Sequence, residues 1–193
     1  EAHAGGGYID RLRYSSREGA RRRLEIAERG LADLQRINRD SLQAQDAVTY
    51  DVVTTAAEDT IASARYTTGG GAGAPYTVTQ LTGAYTGIPD FLASMHPVTN
   101  RDEADAYLTR LSAYARVLDQ ETTRIGEDAA DNVIPPDFAI DGAIGQLRGF
   151  AGRPAGQTVL VTSLRQRIAA VTDITDAEKT VLTQRAEALV RDE

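Results

Sequence analysis

The sequence contains no cysteine and no tryptophan, and its only histidines are His3 and His96. Without cysteine, the chain forms no disulfide, binds no metal through a thiolate and has no cysteine nucleophile. Two histidines are too few for a histidine-rich zinc site built by this chain alone. HExxH, CxxC, EF-hand and GxSxG motifs are missing as well. We therefore expect no catalytic residue and no bound metal in the chain itself.

Long apolar runs are also missing. No stretch approaches the roughly 20 apolar residues that cross a bilayer, so the sequence predicts no membrane span. With 41% apolar and 25% charged residues, the composition is typical of a globular protein. The formal net charge of -7 argues against a partner that is recognised through its phosphates, whether nucleic acid or an anionic membrane surface.

Apolar residues recur at helical spacing, and sustained alternation is not seen, which predicts an all-α, multi-helix bundle with one long amphipathic helix. The only segment that suits a short strand is "QTVLVTSL". We divide the single helical region into a helical pair over residues 15–66, a Gly-, Tyr- and Pro-rich connection over 67–98, and the long helix with shorter helices over 99–193.

The helical pair is predicted from one capping box and two apolar rows. Ser15 and Glu18 form the box that starts the first helix, and the second helix runs over about 41–66. The predicted core positions are Ala20, Leu24, Ala27, Leu31 and Leu34 in the first helix, and Leu42, Val48, Val52, Val53, Ala56 and Ile61 in the second.

The long helix is predicted over residues 100–131, with Thr99 as its cap and Asp102 in the box position. Its apolar row keeps a four-three spacing over about seven turns: Ala104, Leu108, Leu111, Ala115, Leu118, Thr122, Ile125 and Ala129. A shorter helix is expected to bury Phe138, Ile140, Ile144, Leu147 and Phe150, and another covers 158–171. The last helix starts with a Thr175–Glu178 box and carries Val181, Leu182, Ala186 and Leu189.

Residues 74–107 are the candidate functional segment. Tyr76, Gln80 and Tyr85 offer hydrogen bonds together with flat apolar surface, which suits either the wall of a ligand site or a loop that seals a bundle. His96 precedes a proline and a helix start. It either contacts a substrate or satisfies the free backbone groups between two helices.

Two further clusters have a functional and a plainer interpretation. The run "TTGGGAGAP" lacks the Lys-Ser or Lys-Thr of a phosphate-binding loop, which favours a flexible surface connection. Glu127, Asp128 and Asp131 offer carboxylates to a hard cation, but their spacing matches no calcium loop, and a solvated acidic helix end is the simpler interpretation.

The order of several short segments resembles the bacterial family of the domain of unknown function 885. These segments are "PYTVTQLTGAY", "PDFL", "HPV", "DEADAYLTRL", "LDQETTRI", "VIPPDFAID" and "GQLR". Upstream "SSREGARRRLEIAERGLADLQRI" and the closing "ITDAEKTVLTQRAEALV" follow the same order, so the resemblance covers essentially the whole chain. It is strongest over residues 75–146.

The resemblance implies a zincin-like, metallopeptidase-like parent protein, in which an HExxH helix of the C-terminal half would hold zinc. This chain lacks that motif, begins without an initiator methionine and ends within a helical pattern. We therefore expect an N-terminal-half fragment that is not catalytic in isolation and binds no zinc itself. Its partners would be the remaining C-terminal half and a substrate of peptides or related amides. Periplasmic or secreted localisation is also implied by the family, although no signal peptide is visible in this chain.

Within that interpretation the chain forms the substrate side of the cleft, and the candidate substrate-binding residues are Tyr76, Gln80, Tyr85 and His96. The apolar row of the last helix is expected to hold the remaining half of the protein. The alternative function is a non-catalytic helical binding or interaction module.

Overall fold

The computed structural model describes residues 8–71 and 73–192. Within these ranges the chain forms helices and loops without a β-strand, which confirms the all-α prediction. The α-helices are α1 (Arg17–Leu34), α2 (Ala44–Ser63), α3 (Ala84–Ser94), α4 (Arg101–Ala130), α5 (Asp137–Ala151), α6 (Val159–Ala169) and α7 (Asp176–Asp192), with short 3-10 turns at Arg39–Ser41 and Ala155–Gln157.

The core lies in a bundle of four helices. α3 and α7 each pack on both α4 and α6. Each fully buried large apolar side chain contributes about 1.5–3 kcal/mol, so we expect this bundle to carry most of the stability. Its fully buried apolar residues include Leu92, Tyr107, Leu108, Val117, Leu160, Val161, Leu164, Ile168, Leu182 and Ala186.

The predicted apolar row of α4 is right only in its first half. Ala104, Leu108 and Leu111 are buried, whereas Ile125 and Ala129 are exposed. A helix of 30 residues is about 45 Å long, and it extends past the shorter helices of the bundle. The buried side follows a neighbouring row with the same three-four spacing and four charged members: Tyr107, Arg110, Tyr114, Val117, Glu121, Arg124 and Asp128.

Two predicted helix caps are displaced by one residue. Asn100, not Thr99, caps α4, and its Oδ1 accepts from the Glu103 N–H at 2.9 Å. Glu103 Oε2 in turn accepts from the N–H of Thr99 at 2.6 Å, which completes the box. Ser16, not Ser15, caps α1. The predicted box of α7 is confirmed, because Glu178 Oε2 accepts from Thr175 N–H at 2.9 Å.

Helix α3 lies inside the segment that the sequence predicted as a connection. Pro89 within this helix cannot donate to the carbonyl of Tyr85. The Tyr114 hydroxyl of α4 takes that place and donates to Tyr85 O at 3.4 Å. A tertiary hydrogen bond thus compensates for the proline, and this is the reason that local sequence signals did not reveal α3.

Helices α1 and α2 pair with each other to form a hairpin beside the bundle. The small residues Ala20 and Ala27 and the leucines of the predicted α1 row are half-buried. In α2 the prediction was wrong for four residues that are exposed, namely Val48, Val52, Val53 and Ala56. Because α2 packs mainly on α1, only one narrow side of it is covered.

The outer helices differ from their predicted orientation. α5 buries Ala139 and Ala143, whereas Phe138 is 70% exposed. In α7, Leu182 and Ala186 are buried as predicted, but Val181 is exposed. The segment "QTVLVTSL" is not a strand, because it contains the Thr158 cap and the first turns of α6.

Candidate functional site

Tyr85, at the start of α3, is buried and joins three elements. Its hydroxyl lies 2.8 Å from the Thr79 carbonyl oxygen and 2.7 Å from Gln146 Oε1 on α5. A phenol has one proton, so it donates to one of these oxygens, and the Gln146 amide can satisfy the other contact by presenting its NH2 group. Burial raises the pKa of Tyr85, which keeps the hydroxyl protonated.

Gln80 is half-buried where the loop between α2 and α3 meets α5. A Cβ atom added to Gly142 would lie 2.8 Å from Gln80 Cβ, so glycine is needed for this close approach. Gln80 Oε1 is buried and accepts no hydrogen bond from the described part of the chain. Gln80 therefore has an uncommitted acceptor, in contrast to Tyr85.

Tyr76 is half-buried and lies next to a fixed point of the same loop. The adjacent Thr77 is buried, and its hydroxyl donates to Asp128 Oδ2 at 2.7 Å. The same oxygen accepts from the Gly69 N–H at 3.0 Å. One carboxylate at the end of α4 thus binds two points of the loop, one within the Gly-rich run and one just after it.

The Gly-rich run is anchored at its start, at Thr67 and Gly69. Gly69 is buried with a φ of 72°, and a Cβ atom there would lie 2.4 Å from the Pro75 carbonyl oxygen. Arg124 donates to the Gly69 carbonyl, and Arg17 donates to the Thr67 carbonyl at 2.9 Å. The prediction of a surface connection is therefore wrong for Gly69, whereas Gly70, Gly71 and Gly73 are exposed as predicted.

The acidic end of α4 also differs from its predicted solvated form. Asp128 is buried in the loop contact, and Glu127 forms an ion pair with Arg17 of α1. Asp131 is exposed. In residues 8–71 and 73–192 there is no group of three or more histidine, aspartate or glutamate side chains that could hold a metal ion.

His96 is fully buried between α3 and α4. Arg110 Nη1 donates to His96 Nδ1 at 2.6 Å, so Nδ1 is the unprotonated nitrogen. Nε2 then carries the proton and donates to the Glu103 carbonyl at 2.9 Å. Burial lowers the pKa of His96, the Glu103 carbonyl opposes this, and the charge of Arg110 adds to the lowering. Both ring nitrogens are therefore used in the connection of two helices.

Two arginines surround this histidine and were not among the sequence-predicted residues. Arg110 is fully buried and also donates to the carbonyls of Arg11 at 3.0 Å and Tyr8 at 3.1 Å. Arg167 of α6 donates to the Leu92 carbonyl at 3.0 Å and to the His96 carbonyl. These contacts satisfy the free carbonyls at the end of α3.

Glu121 is a further polar residue that the sequence analysis missed. Its Oε2 accepts from the N–H of Ala84, the first residue of α3, at 2.7 Å. Burial raises the pKa of Glu121, and the Ala84 N–H opposes that change. Arg110, Glu121 and Asp128 share one row of α4, so the signal that could have found them is charge at helical spacing.

The structure thus brings Gln80 and Tyr85 together at α5, with Tyr76 in the same loop, and places His96 separately inside the bundle. A shallow groove of about 450 Å³ between α4 and α7 shares none of these residues. It is lined by Leu108, Thr109, Ser112, Arg185, Ala188 and Leu189.

A family model described as "Bacterial protein of unknown function (DUF885)" matches residues 1–193. The chain belongs to this family. The match confirms the resemblance that was inferred from the order of the sequence segments. No curated protein matches the chain.

One solved structure is similar over nearly the whole DUF885 chain. It is described as "the putative lipoprotein from Colwellia psychrerythraea" and matches with a TM-score of 0.81 at 21% identity. The match covers 97% of this chain and 33% of that chain, so the present chain spans about a third of its relative's length. At this identity the similarity shows a shared fold. None of the described helices is long and apolar enough to span a bilayer.

Proposed function

We propose that this chain is the N-terminal, substrate-side helical part of a zinc-dependent, metallopeptidase-like hydrolase that acts on peptides or related amides. The chain then supplies binding surface, and the remaining C-terminal half of the same protein supplies the chemistry. Family membership and the threefold greater length of the structural relative support this division. Periplasmic or secreted localisation is part of the proposal, and the description of the relative as a lipoprotein is compatible with it.

The described residues do not fit a zinc site. His96 is the one histidine among them, and both of its ring nitrogens already have protein partners. The carboxylates do not form a cluster of metal ligands within the described ranges. In this proposal zinc therefore belongs to the HExxH helix of the remaining half, and the present chain takes no part in holding it.

One observation carries the proposal of a substrate contact. The loop from Tyr76 to Tyr85 is fixed at one end by Asp128 and at the other by Tyr85, yet the amide oxygen of Gln80 between them has no hydrogen bond in the described part of the chain. A loop held at both ends that carries an acceptor without a partner is suited to an N–H group of a peptide, which Gln80 reaches by turning its amide out of the buried position.

The four candidate residues divide into two roles. Tyr76 and Gln80 are the proposed contact residues for the substrate. Tyr85 and His96 use their polar atoms inside the fold, so we assign them to positioning, Tyr85 for the loop and His96 for the junction of α3 and α4.

A Gln80→Leu variant of the full-length protein tests the substrate contact. We expect the KM for a peptide substrate to rise about tenfold with kcat within about twofold, because one hydrogen bond to bound substrate is worth about 1.4 kcal/mol. The urea midpoint should not fall, since a buried acceptor without a partner contributes no stability. Gln166→Leu, at an exposed position of α6, is the matched control. An unchanged KM in the Gln80 variant would count against the assignment.

The alternative proposal is a non-catalytic helical binding module. Three exposed valines of α2 favour this alternative: Val48, Val52 and Val53. Exposed apolar residues that lie close together often form an interaction surface. Hydrolysis that is lost with a chelator would exclude this alternative. A protein that binds peptide with no turnover and no zinc would establish it.

A further inference from the structure

Helix α5 buries two alanines and exposes three of its large apolar residues, whereas Ile140 and Phe150 are half-buried. Ala139 and Ala143 are buried, and Gly142 approaches Gln80 closely. On another side of the helix, Ile144 is 38% exposed and Leu147 is 40% exposed. A helix at the surface of a packed domain normally turns its large apolar residues toward the core. Large apolar residues on the outer side indicate that this side is covered by something else.

The placement of α5 explains how this reversal arises. The helix packs against the loop before α3. Gly142 contacts Gln80, and Gln146 lies within hydrogen-bond distance of Tyr85 Oη. The absence of a side chain at Gly142 permits this close contact with the Gln80 side chain. The outer row of α5 is defined here as Ile140, Ile144, Leu147 and Ala151, which follow one another at spacings of four, three and four.

Two other large apolar side chains near α5 are exposed, although Phe138 lies on a different side of the helix from the outer row. Leu81 directly follows Gln80 and is 81% exposed, and Phe138 in the first turn of α5 is also exposed. By contrast, the apolar row of α7 is occupied, since Leu182 and Ala186 are buried in the bundle. The structure therefore does not support α7 as the docking surface that the sequence predicted, and it leaves α5 as the better candidate.

We propose that the outer row of α5 is the surface on which the remaining part of the same polypeptide packs. This inference rests on the proposed function, because it takes as its occupant the C-terminal half that would carry the zinc. The relative of the same fold is about three times as long as this chain, so a large partner in the same polypeptide is available to cover the row. α5 then links the two halves, with the substrate loop on its inner side and the second half on its outer side.

Hydrogen exchange tests the proposal without any substitution. Amides of residues 140–151 should exchange at least about tenfold more slowly in the full-length protein than in the chain of residues 1–193, while the buried amides of α6 exchange alike in both, because covered helices open less often. Exchange in the 1–193 chain should not depend on its concentration. Equal exchange in both proteins would overturn the proposal. Protection of 140–151 that grows with the concentration of the 1–193 chain would overturn it too, since a second copy would then be the occupant.

A pair of double variants adds an independent readout. Ile144→Glu with Leu147→Lys should lower the Tm of the full-length protein by about 5 °C or more, and that of the 1–193 chain by less than about 2 °C. Val181→Glu with Gln184→Lys, at the same spacing on the exposed side of α7, is the matched control and should shift neither. Equal effects of the two pairs would contradict the assignment of α5.

The outcomes separate this proposal from the proposed function. Protection of 140–151 in a full-length protein without zinc or peptide hydrolysis would support the docking surface and reject the hydrolase. Zinc-dependent hydrolysis with unprotected α5 would support the hydrolase and reject the docking surface.

Discussion

At the scale of single residues, buried polar side chains of α4 hold the connections of this fold in place. Asp128 binds two points of the Gly-rich loop, Arg110 binds the segment before α1, and Glu121 binds the start of α3. Each of these side chains takes the place of water. It forms hydrogen bonds with backbone donors or acceptors that would otherwise be unsatisfied. The loops that carry the candidate contact residues are therefore held in part by charged side chains of α4.

Asp128→Ala should lower the free energy of unfolding by about 2–4 kcal/mol, because it leaves the Gly69 N–H and the Thr77 hydroxyl without their acceptor. Asp128→Asn should cost less than half of that, since both bonds go to one oxygen, which an amide can supply. Asp131→Ala, at an exposed position nearby, is the control. Urea unfolding at pH 7 measures all three, and equal values for Asp128→Ala and Asp131→Ala would contradict the role of Asp128.

His96 predicts a pH dependence of stability. Its pKa in the folded chain lies below the ordinary value of 6.5, chiefly because burial disfavours the charged ring. The unfolded chain therefore takes up a proton near pH 6.5 that the folded chain does not. The stabilisation is complete above that pH and is lost as the pH falls below it, with a slope of up to about 1.4 kcal/mol per pH unit.

The measurement is urea unfolding at pH 7.5 and pH 5.5 for the natural chain and for His96→Gln. The variant cannot titrate, so the loss of stability between the two pH values should be smaller than in the natural chain. If both proteins lose the same free energy, His96 is not responsible for the dependence.

At the scale of secondary-structure elements, the contact between α5 and the loop before α3 depends on a single glycine. Gly142→Ala should lower the free energy of unfolding by about 1–3 kcal/mol, because the new Cβ lies 2.8 Å from Gln80 Cβ, an atom that cannot rotate away. Gly145→Ala meets no atom within 4 Å and should be neutral or stabilise by up to about 1 kcal/mol. Thermal unfolding of the two variants checks the difference, and equal effects would contradict the close contact.

Helical periodicity predicted the elements better than their orientations. It identified the long helix correctly, but the search for apolar residues selected the row of Ala104 and Ile125, whose second half is exposed. The row that stays buried or half-buried as far as Asp128 contains charged residues, which a purely apolar criterion rejects. In α2 and α5 the large residues were assigned to the core for the same reason. Helix α3 was not predicted, because the hydrogen bond that Pro89 cannot form is replaced by one from a hydroxyl of α4.

The sequence predicted which segment carries the candidate site, but not how the side chains of that segment are arranged. The crowding of polar and aromatic residues marked the loop around Tyr76 and Gln80. Contacts with α4 and α5 decide which side chains of the loop keep free polar atoms. The partner residues in these contacts are about 50 to 60 positions away in the sequence. His96 illustrates this limit, since its partner Arg110 is set by the packing of α3 against α4.

At the scale of the whole molecule, the chain is a four-helix bundle with two additions, the α1–α2 hairpin and α5. The bundle has the continuous core, whereas the additions expose large apolar residues on their outer sides. This arrangement agrees with a chain that supplies one side of a larger assembly. It also separates the loop that we propose for substrate binding from the chemistry that we assign to the rest of the protein.

The most direct test of this account is the zinc content of the purified full-length protein, measured together with peptide hydrolysis before and after chelation. The account predicts about one zinc per polypeptide, bound outside residues 1–193, and hydrolysis that is lost with the metal. A full-length protein that contains no zinc and shows no chelator-sensitive hydrolysis would contradict it.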